Sequence, residues 1–209
     1  MQQAQVTTGD TLILFAEDLQ QLFDALQGQG YRTIGPTIAD DAIVYEEVKR
    51  AADLPAGWAD TQAPGQYRLT QSADERIFGF TPAAHTWKQW LRPPYQVLWQ
   101  AQRDENGNFS IQNHSEEPPA FALIGVRACE LHATQIQDRV FLHGPYVDAE
   151  YQARRDRVFI VAVNCTRAGE TCFCVSMDTG PQVGHGYDLA LTELIENEDH
   201  YFVCLLYTS

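Results

Sequence analysis

FALIGV (residues 121–126) and VFIVAV (residues 158–163) are two six-residue runs without a polar side chain. A strand with one wet face alternates polar and apolar residues, so uninterrupted apolar runs predict strands covered on both faces. Between them Cys129, Ala133, Ile136 and Val140 recur at helical spacing, which predicts a helix that lays this stripe on the sheet. Strand, helix and strand make a βαβ unit with parallel strands and a right-handed crossover, residues 144–157 serving as the return path. The fold class is therefore α/β, a mixed sheet with a βαβ unit preceded by an α+β N-terminal part.

Working outward, Leu19, Leu22, Phe23 and Leu26 fall on one face of a helix over residues 16–30, opened by Glu17 and Asp18 and closed by Gly28 and Gly30. Residues 31–36 and 42–48 read as strands flanking a polar turn at Asp40 and Asp41, an antiparallel pair. Residues 53–66 read as loop from Pro55, Gly57, Pro64 and Gly65. The aromatics of 87–99, with Pro93 and Pro94, predict an irregular, buried connection whose rings serve core packing. A turn at 104–108 and the acidic, proline-ended stretch 114–119 separate a portion 1–118 from a portion 119–203, the two forming one continuous domain. The closing CLLYTS (204–209) matches one reading frame of a common sequencing adapter, so a non-native tail is expected, with a natural chain that continues past Val203.

The chain has 209 residues, with 14 basic against 28 acidic side chains and a formal charge of −14. That field repels phosphate backbones and acidic membrane surfaces, which argues against a nucleic-acid partner. No apolar run approaches the ~18 residues of a membrane span, so no membrane insertion is expected. The start, MQQAQVTTGDTLILFAEDL, has neither the basic region nor the cleavage site of a secretory signal. A cytoplasmic protein with reduced or metal-bound thiols is the expectation.

Both apolar strands run out at their carboxyl ends into a cysteine, Cys129 and Cys165, and Cys172 and Cys174 follow in the next loop. Open α/β sheets bind ligands outside the carboxyl ends of their strands, so topology brings this C-x35-C-x6-C-x-C set to one pocket. Four thiolates suit a soft metal centre. Three readings of the residues compete: unligated buried cysteines, a four-cysteine zinc site of atypical spacing, and an iron–sulfur cluster, whose ligands come readily from scattered glycine-rich loops. A dithiol cycling at Cys172 and Cys174 is a further alternative. No GxGxxG, Walker, GxSxG or HExxH pattern occurs, so nothing points to an independent hydrolytic or hydride-transfer centre.

GVRACELHATQIQDRVF (125–141), YQARRDRVFIVAVNC (151–165), TCFCVSMDTGP (171–181) and GYDLALTEL (186–194) resemble the iron–sulfur beta subunit family. That family includes the beta subunit of cytoplasmic sulfhydrogenase-type nickel–iron hydrogenases and the corresponding iron–sulfur subunit of anaerobic sulfite reductase. GYRTIGP, AIVYEEV, PGQYRL and FGF agree in order, so the resemblance covers most of the chain to Val203. It implies an electron-transfer subunit with a 4Fe-4S cluster on Cys129, Cys165, Cys172 and Cys174. The implied partners are a flavin-containing reductase subunit and a catalytic oxidoreductase subunit. Full-length members continue into a dicluster ferredoxin domain with repeated C-x2-C-x2-C-x3-C-P runs; none occurs here, which fits a truncated fragment. Some members carry proline where this chain has Ala128.

A cluster on four thiolates is negative in both redox states and needs nearby donors to compensate it. Arg127, two residues before Cys129, is a candidate; the plain alternative is a surface arginine paired with Glu130 or Asp138. Asn164 is a candidate to cap the loop, and Ser176, with Thr179 and Gly180, to supply hydroxyl and amide donors. Arg154, Arg155 and Arg157 read as a salt-bridged face rather than a docking patch, and His132 as an exposed helical histidine.

Overall fold

A computed structural model describes residues 9–82, 85–104, 106–113 and 117–207. The elements in chain order are β1 (Thr11–Phe15), α1 (Leu19–Gly28), β2 (Arg32–Ala39), β3 (Ala42–Glu47), β4 (Trp58–Ala63), β5 (Gln66–Gln71) and α2 (Lys88–Leu91). There follow β6 (Trp99–Arg103), β7 (Phe109–Asn113), β8 (Phe121–Val126), α3 (Ala128–Phe141), α4 (Ala149–Arg155), β9 (Val158–Val163), β10 (Leu189–Glu196) and β11 (Asp199–Leu206). Seven strands form one sheet in the order β1-β11-β10-β9-β8-β2-β3. The inner run β10, β9, β8, β2 is parallel, while β11 and β3 pair antiparallel with their neighbours. The mixed α/β sheet and its βαβ unit, β8-α3-β9, are as the apolar runs predict. Strands from 1–118 and from 119–203 share this sheet.

The inner strands are covered on both faces because both faces are apolar. Ala122, Ile124, Val161, Val163, Leu189 and Leu191 pack with Leu19, Phe23 and Leu26 of α1. Leu123, Val126, Ile160, Ala162 and Ala190 pack with Ala128 and Leu131 on the α3 side. One irregularity sits in β8: its register against β9 slips between Ile124 and Val126. Gly125, at φ +91°, is the extra residue. A Cβ there would stand 2.9 Å from the Phe78 ring, so the bulge requires glycine. A bulge changes which face the next side chains take, and Val126 accordingly joins Leu123 on the α3 side.

Three readings of the sequence need correction, and one, the return path, gains a helix. Residues 53–66 are not loop throughout: 58–63 is β4, paired with β5 across a turn at Pro64 and Gly65. The α3 stripe is displaced: Leu131 and Thr134 are buried, whereas Ile136 and Val140 are 59% and 63% exposed and Ala133 is exposed. Threonine turns inward because its hydroxyl is satisfied by the Glu130 carbonyl at 3.1 Å, so apolarity alone misplaced the buried face. The return path 144–157 contains α4, capped by Asp148, whose carboxylate accepts from the Glu150 and Tyr151 amides. In 87–99 only the beginning is core: Trp87 is buried and stacks on Tyr45 at 3.9 Å, but Trp99 is 60% exposed.

The 31–36 and 42–48 pair forms the β2-β3 hairpin, with Asp40 and Asp41 at φ 50° and 57° in its turn. The 104–108 turn joins a second hairpin, β6-β7, and 114–116 of the acidic stretch lie outside the described residues. Strand β11 runs on through Cys204 to Leu206, and Cys204 is buried between Leu12 and Leu191. Thr208 and Ser209 lie outside the described residues. Among the described residues, no helix is long and apolar enough to cross a membrane.

Candidate metal centre

Parallel neighbours require a crossover, usually a helix. Between β9 and β10 that crossover is the cysteine loop, residues 164–188, whose only helical part is a short 3-10 turn at Val175–Met177. Hydrogen bonds replace the missing helix. The Cys165 amide donates to the Pro181 carbonyl at 3.3 Å, and the Thr179 and Met177 amides donate to the Cys174 carbonyl at 2.9 and 3.2 Å. Asn164 pins both ends: its Oδ1 accepts from the Val183 amide at 2.8 Å and its Nδ2 donates to Thr192 Oγ1 at 2.7 Å.

Cys129 enters from the first turn of α3, Cys165 from the residue but one after β9, and Cys172 and Cys174 from the loop. All four line one cavity of about 220 Å³, with Gln62, Pro82, Arg167, Phe173 and Thr179 among its other walls. All are free thiols. They ring the cavity rather than meet at a point: among the described residues, no three Cys, His, Asp or Glu side chains form a group able to hold a single ion. Gly180 leaves the loop room to approach, since a Cβ there would lie 3.2 Å from Ala128 Cβ and 3.4 Å from Cys174 Sγ. The Gly169 amide donates to Cys172 Sγ at 3.3 Å.

Burial pushes the Cys129 thiol up to about 11, and Glu130, Cys165 and Cys174 add to it. The Cys165 thiol is also raised by burial, opposed by the Arg127 charge and reinforced by Cys174 and Cys172. Packing several thiols together disfavours their thiolates unless a cation compensates them, which is the electrostatic setting a metal centre relieves.

Arg127 is not a surface arginine. It is fully buried, and its guanidinium donates to the carbonyls of Phe78 at 2.8 Å, Phe80 at 3.2 Å and Asn164 at 3.3 Å. Its Cζ lies 4.9 Å from the Phe80 ring centroid, and Nε finds no hydrogen-bond partner among the described residues. Glu130 reaches the Arg127 backbone amide at 2.9 Å instead, and Asp138 pairs with Arg155 at 3.2 Å. Three carbonyl dipoles aimed at a buried cation make its removal costly, about 3–5 kcal/mol for a broken buried charge network. Glu130 is raised by burial and accepts the Tyr45 hydroxyl at 2.9 Å.

Ser176 is exposed in the 3-10 turn, its amide on the Phe173 carbonyl at 3.0 Å, and is not among the cavity walls. His132 is half-buried, 6.0 Å from His185. The three arginines are salt-bridged as expected, Arg154 to Glu150, Arg155 to Asp138 and Arg157 to Glu117.

Sequence reasoning missed the wall supplied by the β4-β5 hairpin. Gln62 accepts from Thr171 Oγ1 at 3.0 Å and donates to Asp60 Oδ2 at 2.8 Å and Thr81 Oγ1 at 2.9 Å, joining the hairpin to the cysteine loop. No period-2 pattern marks the strand in the sequence, since Ala59 is followed by the three polar residues Asp60, Thr61 and Gln62, and prolines and glycines flank it on both sides.

The fold and the cavity define an α/β sheet protein with a four-thiol pocket at the carboxyl ends of its parallel strands. Among known proteins, the chain is similar to Sulfhydrogenase 2 subunit beta of Pyrococcus furiosus, 27% identical over 181 residues. The match covers 87% of this chain and 45% of that protein, so the chain spans under half the length of the curated relative it matches. No family model and no solved structure matches the chain.

Proposed function

We propose that this chain is the iron–sulfur part of an electron-transfer subunit of a multisubunit oxidoreductase of hydrogenase or anaerobic sulfite reductase type. Electrons pass between a flavin-containing reductase partner and a catalytic subunit. The observation that carries the reading is the single cavity of about 220 Å³ ringed by Cys129, Cys165, Cys172 and Cys174. Four thiols on one cavity, with no three of them grouped for a single ion among the described residues, favour a polynuclear core over a lone zinc, whose sulfurs lie at about 2.3 Å from the metal. The similarity to a sulfhydrogenase beta subunit supports the same assignment.

When bound, a 4Fe-4S core supplies one-electron transfer. The chain's residues do the rest. The four cysteines release their protons on binding it, and the raised Cys129 and Cys165 thiols make that uptake pH-dependent. Arg127 sets a fixed positive charge beside Cys165, Asn164 holds the loop to β10, and the Gly169 amide stabilises charge on Cys172. Phe173, although exposed, forms part of the cavity wall.

Anaerobic reconstitution with iron and sulfide tests the reading. Close to four irons and four sulfides per chain are expected, with broad visible absorption bleached by dithionite. Cys→Ser at 129, 165, 172 or 174 should each lower the iron bound. A colourless protein with one zinc per chain overturns it.

A further inference from the structure

Residues 76–82 form no regular element, yet Ile77, Phe78, Phe80 and Thr81 are at most 8% exposed. Two buried carboxylates staple this strap. Glu193 of β10, fully buried, accepts from the Ile77 amide at 2.6 Å and the Phe78 amide at 3.0 Å. Asp60 of β4 accepts from the Thr81 amide at 2.6 Å. Between the staples, the Phe78 and Phe80 carbonyls receive Arg127, whose third bond goes to Asn164, the residue before Cys165. His200 of β11 meets Glu193 Oε1, the oxygen that also accepts from the Ile77 amide, at 2.8 Å, and Arg76 donates to the Glu193 carbonyl at 3.3 Å.

The geometry has a direction. Peptide units at 77–78 turn their N–H groups to a carboxylate and the Phe78 carbonyl to a guanidinium, so each charge polarises the strap in favour of the other. Glu193 and Arg127 are coupled through the backbone.

We propose that Glu193 is a positioning residue: by fixing residues 77–80 it holds the Arg127 cation beside Cys165 and thereby sets the energy of an electron residing in the cysteine cavity. This rests on the iron–sulfur reading above. Without the Glu193 anchor the strap carbonyls no longer aim at Arg127, and the cation retreats from the thiolates it offsets. The Arg127 charge already opposes the burial penalty at Cys165.

A double-mutant cycle on the reconstituted full chain tests it, read as the midpoint potential by redox titration. Compared at equal iron content per chain, Arg127→Gln is expected to lower the one-electron reduction equilibrium about tenfold, about 59 mV, and Glu193→Gln about threefold. In the Arg127→Gln background, Glu193→Gln should change nothing further. A rise in potential on Glu193→Gln, or a shift that persists without Arg127, overturns the proposal, because either means that Glu193 acts by its own charge. Should Glu193→Gln not fold, His200→Gln disturbs the same carboxylate at the oxygen that His200 shares with the Ile77 amide. A smaller drop, again abolished by Arg127→Gln, is then expected, and no drop overturns the idea. If the wild type takes zinc instead of a cluster, the iron–sulfur reading has failed. The cycle is then read on metal-free protein as the rate of Cys165 alkylation by iodoacetamide at fixed pH. Slowing by Glu193→Gln only when Arg127 is present supports the coupling; equal slowing without Arg127 overturns it.

Discussion

Gly180 is a tight point of the cysteine loop. Its missing side chain would touch both Ala128 on α3 and Cys174. Gly180→Ala should push the loop off the helix, cost about 1–3 kcal/mol in urea unfolding and reduce iron uptake, because overpacking shifts backbone rather than compressing atoms. The fifth cysteine behaves differently from the four. Burial pushes the Cys204 thiol up to about 11 inside β11, whereas Cys172 is exposed. In metal-free protein at pH 8, iodoacetamide should label Cys172 within minutes and leave Cys204 intact until the chain unfolds, as mass spectrometry of the digest would show. Glu130 supplies a pH dependence. Burial raises its carboxyl above its unfolded value, so the folded state holds that proton more tightly. Its contribution to stability is full below the ordinary carboxyl value of about 4.3 and is lost as pH rises through the raised folded value. Stability of the wild type minus that of Glu130→Gln should therefore fall with rising pH across this window, and a difference that rises would contradict the assignment.

Helix α3 shows what a pattern of apolar letters misses. Its inward side carries Ala128, Leu131 and Thr134, and its outward side carries Ala133, Ile136 and Val140. Leu131→Ala should cost about 2–5 kcal/mol, whereas Ile136→Lys and Val140→Lys should stay within about 0.5 kcal/mol of wild type by denaturant titration. A reversal of that order would restore the stripe expected from spacing. The displacement has a local cause: β8 ends in a bulge at Gly125, Arg127 turns into the strap carbonyls, and the helix begins with its phase set by that burial. The β4-β5 hairpin was misread for a related reason. Prolines and glycines on both sides of 58–63 punctuate a hairpin as readily as a loop, and only the partner strand distinguishes them.

For the whole molecule, strand β11 lies between β1 and β10, so the stretch 204–206 belongs to the sheet interior in register with Leu12 and with 189–191. Removing 204–209 should lower stability by about 2–5 kcal/mol, the worth of one buried and one half-buried apolar side chain with their ladder bonds, seen as a lower Tm. The parallel core, the β2-β3 hairpin and helix α1 were legible because each depends on local periodicity and on apolar runs that only a doubly covered strand accounts for. Strand polarity alone puts Cys129 and Cys165 at one edge of the sheet, and both line the same cavity. The strap was not legible, nor was Gln62 in the cavity wall, nor the burial of Arg127. Each depends on hydrogen bonds between residues far apart in the chain, 47 positions for Phe80 and Arg127 and 117 for Arg76 and Glu193. Sequence by itself determined which segments become strands and which ends carry sulfur, because side-chain period and topology are short-range rules. Only the tertiary structure decided where the buried charges lie and what holds them. A desolvated ion is stable only among the dipoles that the complete fold gathers around it.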